Sequence, residues 1–128
     1  MFATIYLIVG LGNPGIQYEK THHNMGFLFV DYLKKTLGFP EYKTRFDALY
    51  TEGDISENKV IIIKPQIYMN SSGYVVQQFK SFYKIPSKNV FVIHDDLDFK
   101  SCEVKIKFAG SSGGHNGIRN IDKLVNNN

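Results

Sequence analysis

Histidine, one carboxylate and several carboxamides are the side chains here whose positions suit hydrolytic chemistry. Asn13 and His23, Asn70, Asp95, and His115 with Asn116 fall at the ends of predicted strands, and in open α/β sheets ligands bind at such ends. A neutral imidazole, with an ordinary pKa of roughly 6.5, takes a proton from water near neutral pH. A buried carboxylate beside it fixes its tautomer and stabilises the imidazolium formed as the water attacks. Carboxamides carry both a donor and an acceptor, which matches a peptide backbone or an ester carbonyl. Taken singly, Asn13 also suits the start of the Pro14 turn, Asn70 a helix cap, and Asn116 the opening of a last helix. Together they describe a cleft for attack by activated water, with no metal required.

Three other patterns compete. Gly10, Gly12 and Gly15 spell G-x-G-x-x-G directly after a strand, the dinucleotide fingerprint. The acidic residue that should close a second strand about twenty positions on is Asp31, which falls inside a predicted helix, and Pro14 with Gln17 to Lys20 delays the helix that should start at the last glycine. No nucleotide cofactor is expected. Gly110 to Gly114 fits the nucleophile elbow G-x-S-x-G around Ser112, which makes a serine esterase the rival enzyme; yet His115 is too close and no histidine follows Asp122. His94, Asp95, Asp96 and Asp98 match neither a zinc site nor a calcium loop in spacing.

The elements that must position these residues are short apolar runs bounded by Gly, Pro, Asn or Ser. Thr4 to Val9 reads as a buried strand. Phe29, Val30, Leu33 and Leu37 recur at helical spacing from Met25, with Lys34 and Lys35 turned outward and Gly38 as the stop. Ala48 to Gly53 and Val60 to Lys64 read as strands joined by the turn Ile55 to Lys59, with Pro65 ending the second. Ser72 is placed as the cap of a helix carrying Val75, Val76, Phe79, Phe82 and Tyr83, closed by Pro86. Val90 to His94 is a further buried strand. In Cys102 to Phe108, Val104, Ile106 and Phe108 alternate with Glu103, Lys105 and Lys107. The Gly-rich loop 110–117 then leads into a helix near Ile118 to Val125. Such alternation predicts a single-domain, three-layer α/β/α fold over residues 1–128 with a twisted mixed, largely parallel sheet.

A chain of 128 residues with 43% hydrophobic side chains can bury one ordinary core. The net charge of +3 suits a polyanion, but a surplus this small also occurs in proteins that never meet one. The single cysteine, Cys102, excludes an internal disulfide framework and favours a reducing cytoplasm. Met1 to Leu11 lacks a basic flank and is too short to span a bilayer, so neither a signal peptide nor a membrane segment is read there.

Val9-Gly-Leu-Gly-Asn-Pro-Gly15, Thr21-His-His-Asn-Met-Gly26, Lys64-Pro-Gln-Ile-Tyr-Met-Asn-Ser-Ser-Gly73, His94-Asp-Asp-Leu-Asp98 and Gly113-Gly-His-Asn-Gly117 occur in that order. In this the sequence resembles the bacterial peptidyl-tRNA hydrolase family along its whole length. The resemblance implies hydrolysis of the ester between peptide and tRNA by a monomer, with neither cofactor nor metal. It makes His23 the general base and Asp95 its orienting partner, with His22 a bystander. Asn13, Asn70 and Asn116 would hold the peptide and ester region, with Tyr18 and Tyr68 also on the substrate side, and His115 would border the cleft entrance. Lys105 and Lys107, which share one strand face, and Arg119 are the candidates for tRNA phosphates, with Lys100 beside them; a solvated basic face is the plain alternative. The sequence departs from the family at Ile67, where threonine is usual, and near Lys100 to Cys102, where a Pro-x-Gly turn is usual. Family members also continue beyond the point matched by Asn128, with a further strand and helices, so the chain reads as a C-terminally truncated member. A non-catalytic tRNA-binding fragment is the rival from another class.

Overall fold

A computed structural model of the chain describes residues 4–12, 25–67, 71–95 and 104–108, with the backbone alone at 25, 95 and 104–108. In chain order the elements are β1 (Ile5–Gly10), α1 (Met25–Leu37), β2 (Lys43–Arg45), β3 (Ala48–Ile55), β4 (Asn58–Pro65), α2 (Ser72–Tyr83), a short 3-10 turn (Ser87–Asn89), β5 (Val90–Asp95) and β6 (Val104–Phe108). The strands form one sheet in the order β2-β3-β4-β1-β5-β6.

The sheet is mixed, and its parallel pairing is confined to the centre. β1 runs parallel to β4, with Ile8 opposite Ile62, and to β5, with Ile8 opposite Phe91. The outer pairs are antiparallel. Two tight hairpins explain one side: Arg45 pairs with Ala48 across Phe46-Asp47, and Ile55 pairs with Asn58 across Ser56-Glu57. Loops this short can join only antiparallel strands, whereas parallel neighbours need a crossover.

Strand alternation divides the core into two layers. Leu7, Val9, Ile61, Ile63, Val90 and Val92 pack with Val75, Val76 and Phe79 of α2. Ile8, Val60, Ile62 and Ile93 pack with Phe29, Val30 and Leu33 of α1. The helices therefore cover opposite faces, giving the three layers that the alternation predicts.

Local departures from the sequence reading have local causes. Leu37, read as part of the α1 stripe, is 40% exposed. Gly38 turns left-handed at φ 70°, and Phe39 takes the buried place instead, its N–H donating to the Lys34 carbonyl at 3.0 Å. Lys34 does not point into solvent: it bridges to Glu41 at 3.1 Å and lies over the Tyr42 ring. At α2, Ser71 takes the N-cap position without a side-chain cap bond. Ser72 is fully buried, its hydroxyl without a hydrogen-bond partner among the described residues. α2 ends on left-handed Lys84, two residues ahead of Pro86. β2 carries no turn signal in the sequence because its hairpin uses Phe46 and Asp47 at φ 52° and 60°, a type I′ geometry that normally selects Asn or Gly. Packing of the Phe46 ring edge-on to Phe79 and Phe82 holds it there.

Candidate active site

The central strands β1, β4 and β5 end together, and α1 opens on top of two of them. Beyond β1, the Leu11 N–H donates to the Ile93 carbonyl at 2.9 Å and prolongs the pairing with β5. Gly26 sits directly above: a Cβ there would stand 2.4 Å from the Leu11 carbonyl oxygen and 2.5 Å from that of Ile93. Gly10 answers from the strand, since its Cβ would stand 2.7 Å from the Gly26 oxygen and as close to a Val30 methyl. Helix and sheet approach this closely only because neither position carries a side chain. Gly10 of the G-x-G-x-x-G pattern thus serves helix packing.

Asp95 ends β5 opposite Val104 and shares with Ile93 the sheet face that α1 covers. His94, on the other face, is buried at 5% exposure. β4 ends at Pro65, after which the Gln66 N–H donates to the Asp47 carbonyl at 2.8 Å, and α2 begins at Ser72. Lys105 and Lys107 take alternate register positions in β6, opposite His94 and Val92. Asn13, Tyr18, His23, Tyr68, Asn70, His115, Asn116 and Arg119 lie outside the described residues, as do His22, Lys100 and Ser112. Asp95, Lys105 and Lys107 are thus the predicted site residues that fall within the described residues.

A polar cluster that the sequence reading did not assemble lies under the first turns of α1. Lys64, near the end of β4, donates to Asp31 Oδ1 at 2.9 Å and Oδ2 at 3.1 Å. The Tyr42 hydroxyl donates to the same Oδ1 at 2.7 Å. The ammonium also lies 5.3 Å from the Phe27 ring centroid and 4.7 Å from that of Tyr42. Burial, then the hydrogen bond to Asp31 and the charges of Asp31 and Glu41, push the Tyr42 hydroxyl pKa far above its ordinary value, so it stays a donor. One signal was available: Lys64 closes the apolar run Val60 to Ile63, and a charge at such a place needs a partner.

Among the described residues no three His, Cys, Asp or Glu side chains gather as a metal site would need, and no helix is long and apolar enough to cross a membrane.

Comparison with known proteins bears on this frame. Residues 7–128 match the family model described as peptidyl-tRNA hydrolase. A peptidyl-tRNA hydrolase of Wolbachia sp. subsp. Drosophila simulans (strain wRi) is 49% identical over 123 residues, covering 96% of this chain and 68% of that protein. Another, of Thermoanaerobacter sp. (strain X514), is 48% identical over 122 residues, covering 95% and 66%. The crystal structure of peptidyl-tRNA hydrolase from Acinetobacter baumannii superposes with a TM-score of 0.84 at 38% identity, over 98% of this chain and 64% of that one. The chain spans about two thirds of the length of these relatives.

Proposed function

This chain belongs to the peptidyl-tRNA hydrolase family, and from that premise we propose that it hydrolyses the ester between peptide and tRNA in peptidyl-tRNA, releasing free tRNA and peptide. His23 takes a proton from water as the water oxygen attacks the acyl carbon. The ester C–O bond breaks, and the ribose oxygen leaves with a proton returned by the imidazolium. Asp95 orients the ring and stabilises its charged form. Asn13, Asn70 and Asn116 hold the peptide and the carbonyl, with Tyr18 and Tyr68 beside them and His115 at the entrance. Lys105, Lys107 and Arg119 meet tRNA phosphates. The protein acts as a single-domain monomer in the cytoplasm, using neither metal nor nucleotide cofactor.

The observation that carries this reading is the seating of Gly26 on the carbonyls of Leu11 and Ile93. Two residues of chain keep the Asp95 Cα within about 7 Å of that of Ile93, at the strand end over which α1 opens. General-base assistance of on the order of 10²–10⁴-fold then acts on a bond that is already labile.

Turnover of an N-blocked aminoacyl-tRNA tests it. His23→Ala collapses the rate and His22→Ala retains it; equal retention by both removes the assignment of the base. Loss of turnover in Ser112→Ala, with covalent labelling of the parent chain by a serine-directed phosphonate, would transfer the chemistry to a serine esterase. Binding of tRNA without any turnover would make this chain a binding fragment.

A further inference from the structure

We propose that Lys64 and Asp31 form a positioning pair that sets the register of α1 on the sheet, and through it the placement of the base; this rests on the hydrolase reading above. The seat of α1 needs such a device. Gly26 and Gly10 let the helix come close, but a backbone-on-backbone contact without side chains offers little to stop the helix sliding or turning about its axis. The apolar layer beneath it, Ile8, Ile62 and Ile93 against Phe29, Val30 and Leu33, is non-directional. The ion pair is directional. Lys64 meets both carboxylate oxygens of Asp31, at 2.9 and 3.1 Å, while the rings of Phe27 and Tyr42 flank the ammonium at 5.3 and 4.7 Å. Tyr42 fixes the carboxylate from a third segment by its 2.7 Å hydrogen bond.

Stability alone is a weak reason for this arrangement. The Lys64 side chain is 13% exposed and that of Asp31 41%; bringing the ammonium out of water offsets much of what a half-exposed carboxylate returns, so the net stabilisation over an apolar pair is small. What the apolar pair lacks is a fixed geometry. The two ends of the pair also lie where geometry matters. Asp31 is eight residues along the chain from His23, and Phe27, which flanks the ammonium, is four. Lys64 precedes Tyr68 by four residues and Asn70 by six. The pair therefore ties the segment that carries the base to the segment that carries the substrate-holding residues, and a misplacement of about 1 Å between such groups can cost up to 10²-fold in rate.

The test is kinetic and spectroscopic, on the full chain with N-blocked aminoacyl-tRNA. Lys64→Met and Asp31→Asn each lower kcat about tenfold with KM within about twofold, the double variant is no worse than either single one, and Lys64→Arg keeps most of kcat. Tyr42→Phe, the mildest change, lowers kcat about twofold. In parallel, the imidazole ¹H–¹⁵N signals of His23, identified by their loss in His23→Ala, shift in Lys64→Met and Asp31→Asn and stay in place in Lys64→Arg. Wild-type kcat with a lowered melting temperature would overturn the proposal, as would unmoved His23 signals. A parent chain without turnover would instead defeat the hydrolase reading, and the ring signals would still decide whether the pair positions residue 23.

Discussion

The carbonyl oxygen of Gly26 lies 2.7 Å from the point that a Cβ on Gly10 would occupy, so α1 and β1 meet main chain to main chain. Gly26 is the tighter of the two, because the atoms its Cβ would strike belong to the backbones of Leu11 and Ile93 and cannot rotate away. Gly26→Ala is expected to destabilise the fold by about 2–3 kcal/mol in urea denaturation and to lower kcat as well. Gly38→Ala is the control: nothing lies within 4 Å of its Cβ, and only its left-handed φ of 70° is penalised. It should cost about 1–2 kcal/mol and leave kcat unchanged.

With His23 as the base, the active form is the neutral imidazole. The rate constant kcat/KM should rise with pH as the imidazole loses its proton and then level off. If Asp95 stabilises the imidazolium, Asp95→Asn removes that charge, so the plateau drops and the midpoint moves to lower pH. Initial rates between pH 5 and 8 in parent and variant would show this; an unmoved midpoint would separate Asp95 from the base.

Tyr42 predicts behaviour at the alkaline end. Its hydroxyl holds its proton more tightly when folded than its ordinary value of 10.0 would allow, through burial first and then Asp31. A raised folded pKa adds stability that is whole below the unfolded value and is lost as pH climbs above it. Unfolding free energy should therefore fall from about pH 10 upward, and less steeply in Tyr42→Phe. Burial also raises Tyr83, with Glu52 adding to the shift and Arg45 opposing it, so some of the slope should survive. Urea titrations at stepped alkaline pH would measure both slopes.

Lys105 and Lys107 occupy adjacent same-parity positions in β6. If each meets a phosphate, replacing both with Gln should lower the slope of log K against log salt for tRNA binding by about 1.4–1.8 in magnitude. Filter binding at several salt concentrations would read it. An unchanged slope would leave the two lysines as a solvated face.

Much of this frame was legible in the sequence because it rests on period and punctuation. The β-branched run after Thr4, the helical spacing from Met25 and the stop at Gly38 each reflect a local preference that packing did not override. β2 was not legible: its turn depends on Phe46 being gripped by rings of α2, far along the chain. The Lys64–Asp31–Tyr42 cluster escaped for the same reason, since its partners come from three segments. Ser71, not Ser72, takes the N-cap of α2 and makes no side-chain cap bond there, so cap chemistry could not fix that start to the residue. Motif order singled out the candidate site residues, most of which lie outside the described residues, whereas spacing alone said nothing of how closely Gly10 would admit α1.

β2 is three residues long, and two of them, Lys43 and Arg45, are cationic. At the rim of the sheet it offers an approaching foreign strand little ladder to extend, with Lys43 exposed as a charge against another copy of itself, while Arg45 is turned onto the rings of Tyr50, Phe82 and Tyr83. Concentrated refolding should therefore be little troubled by sheet-to-sheet association through this rim, and replacing Lys43 with valine is where cross-β aggregation would first be invited.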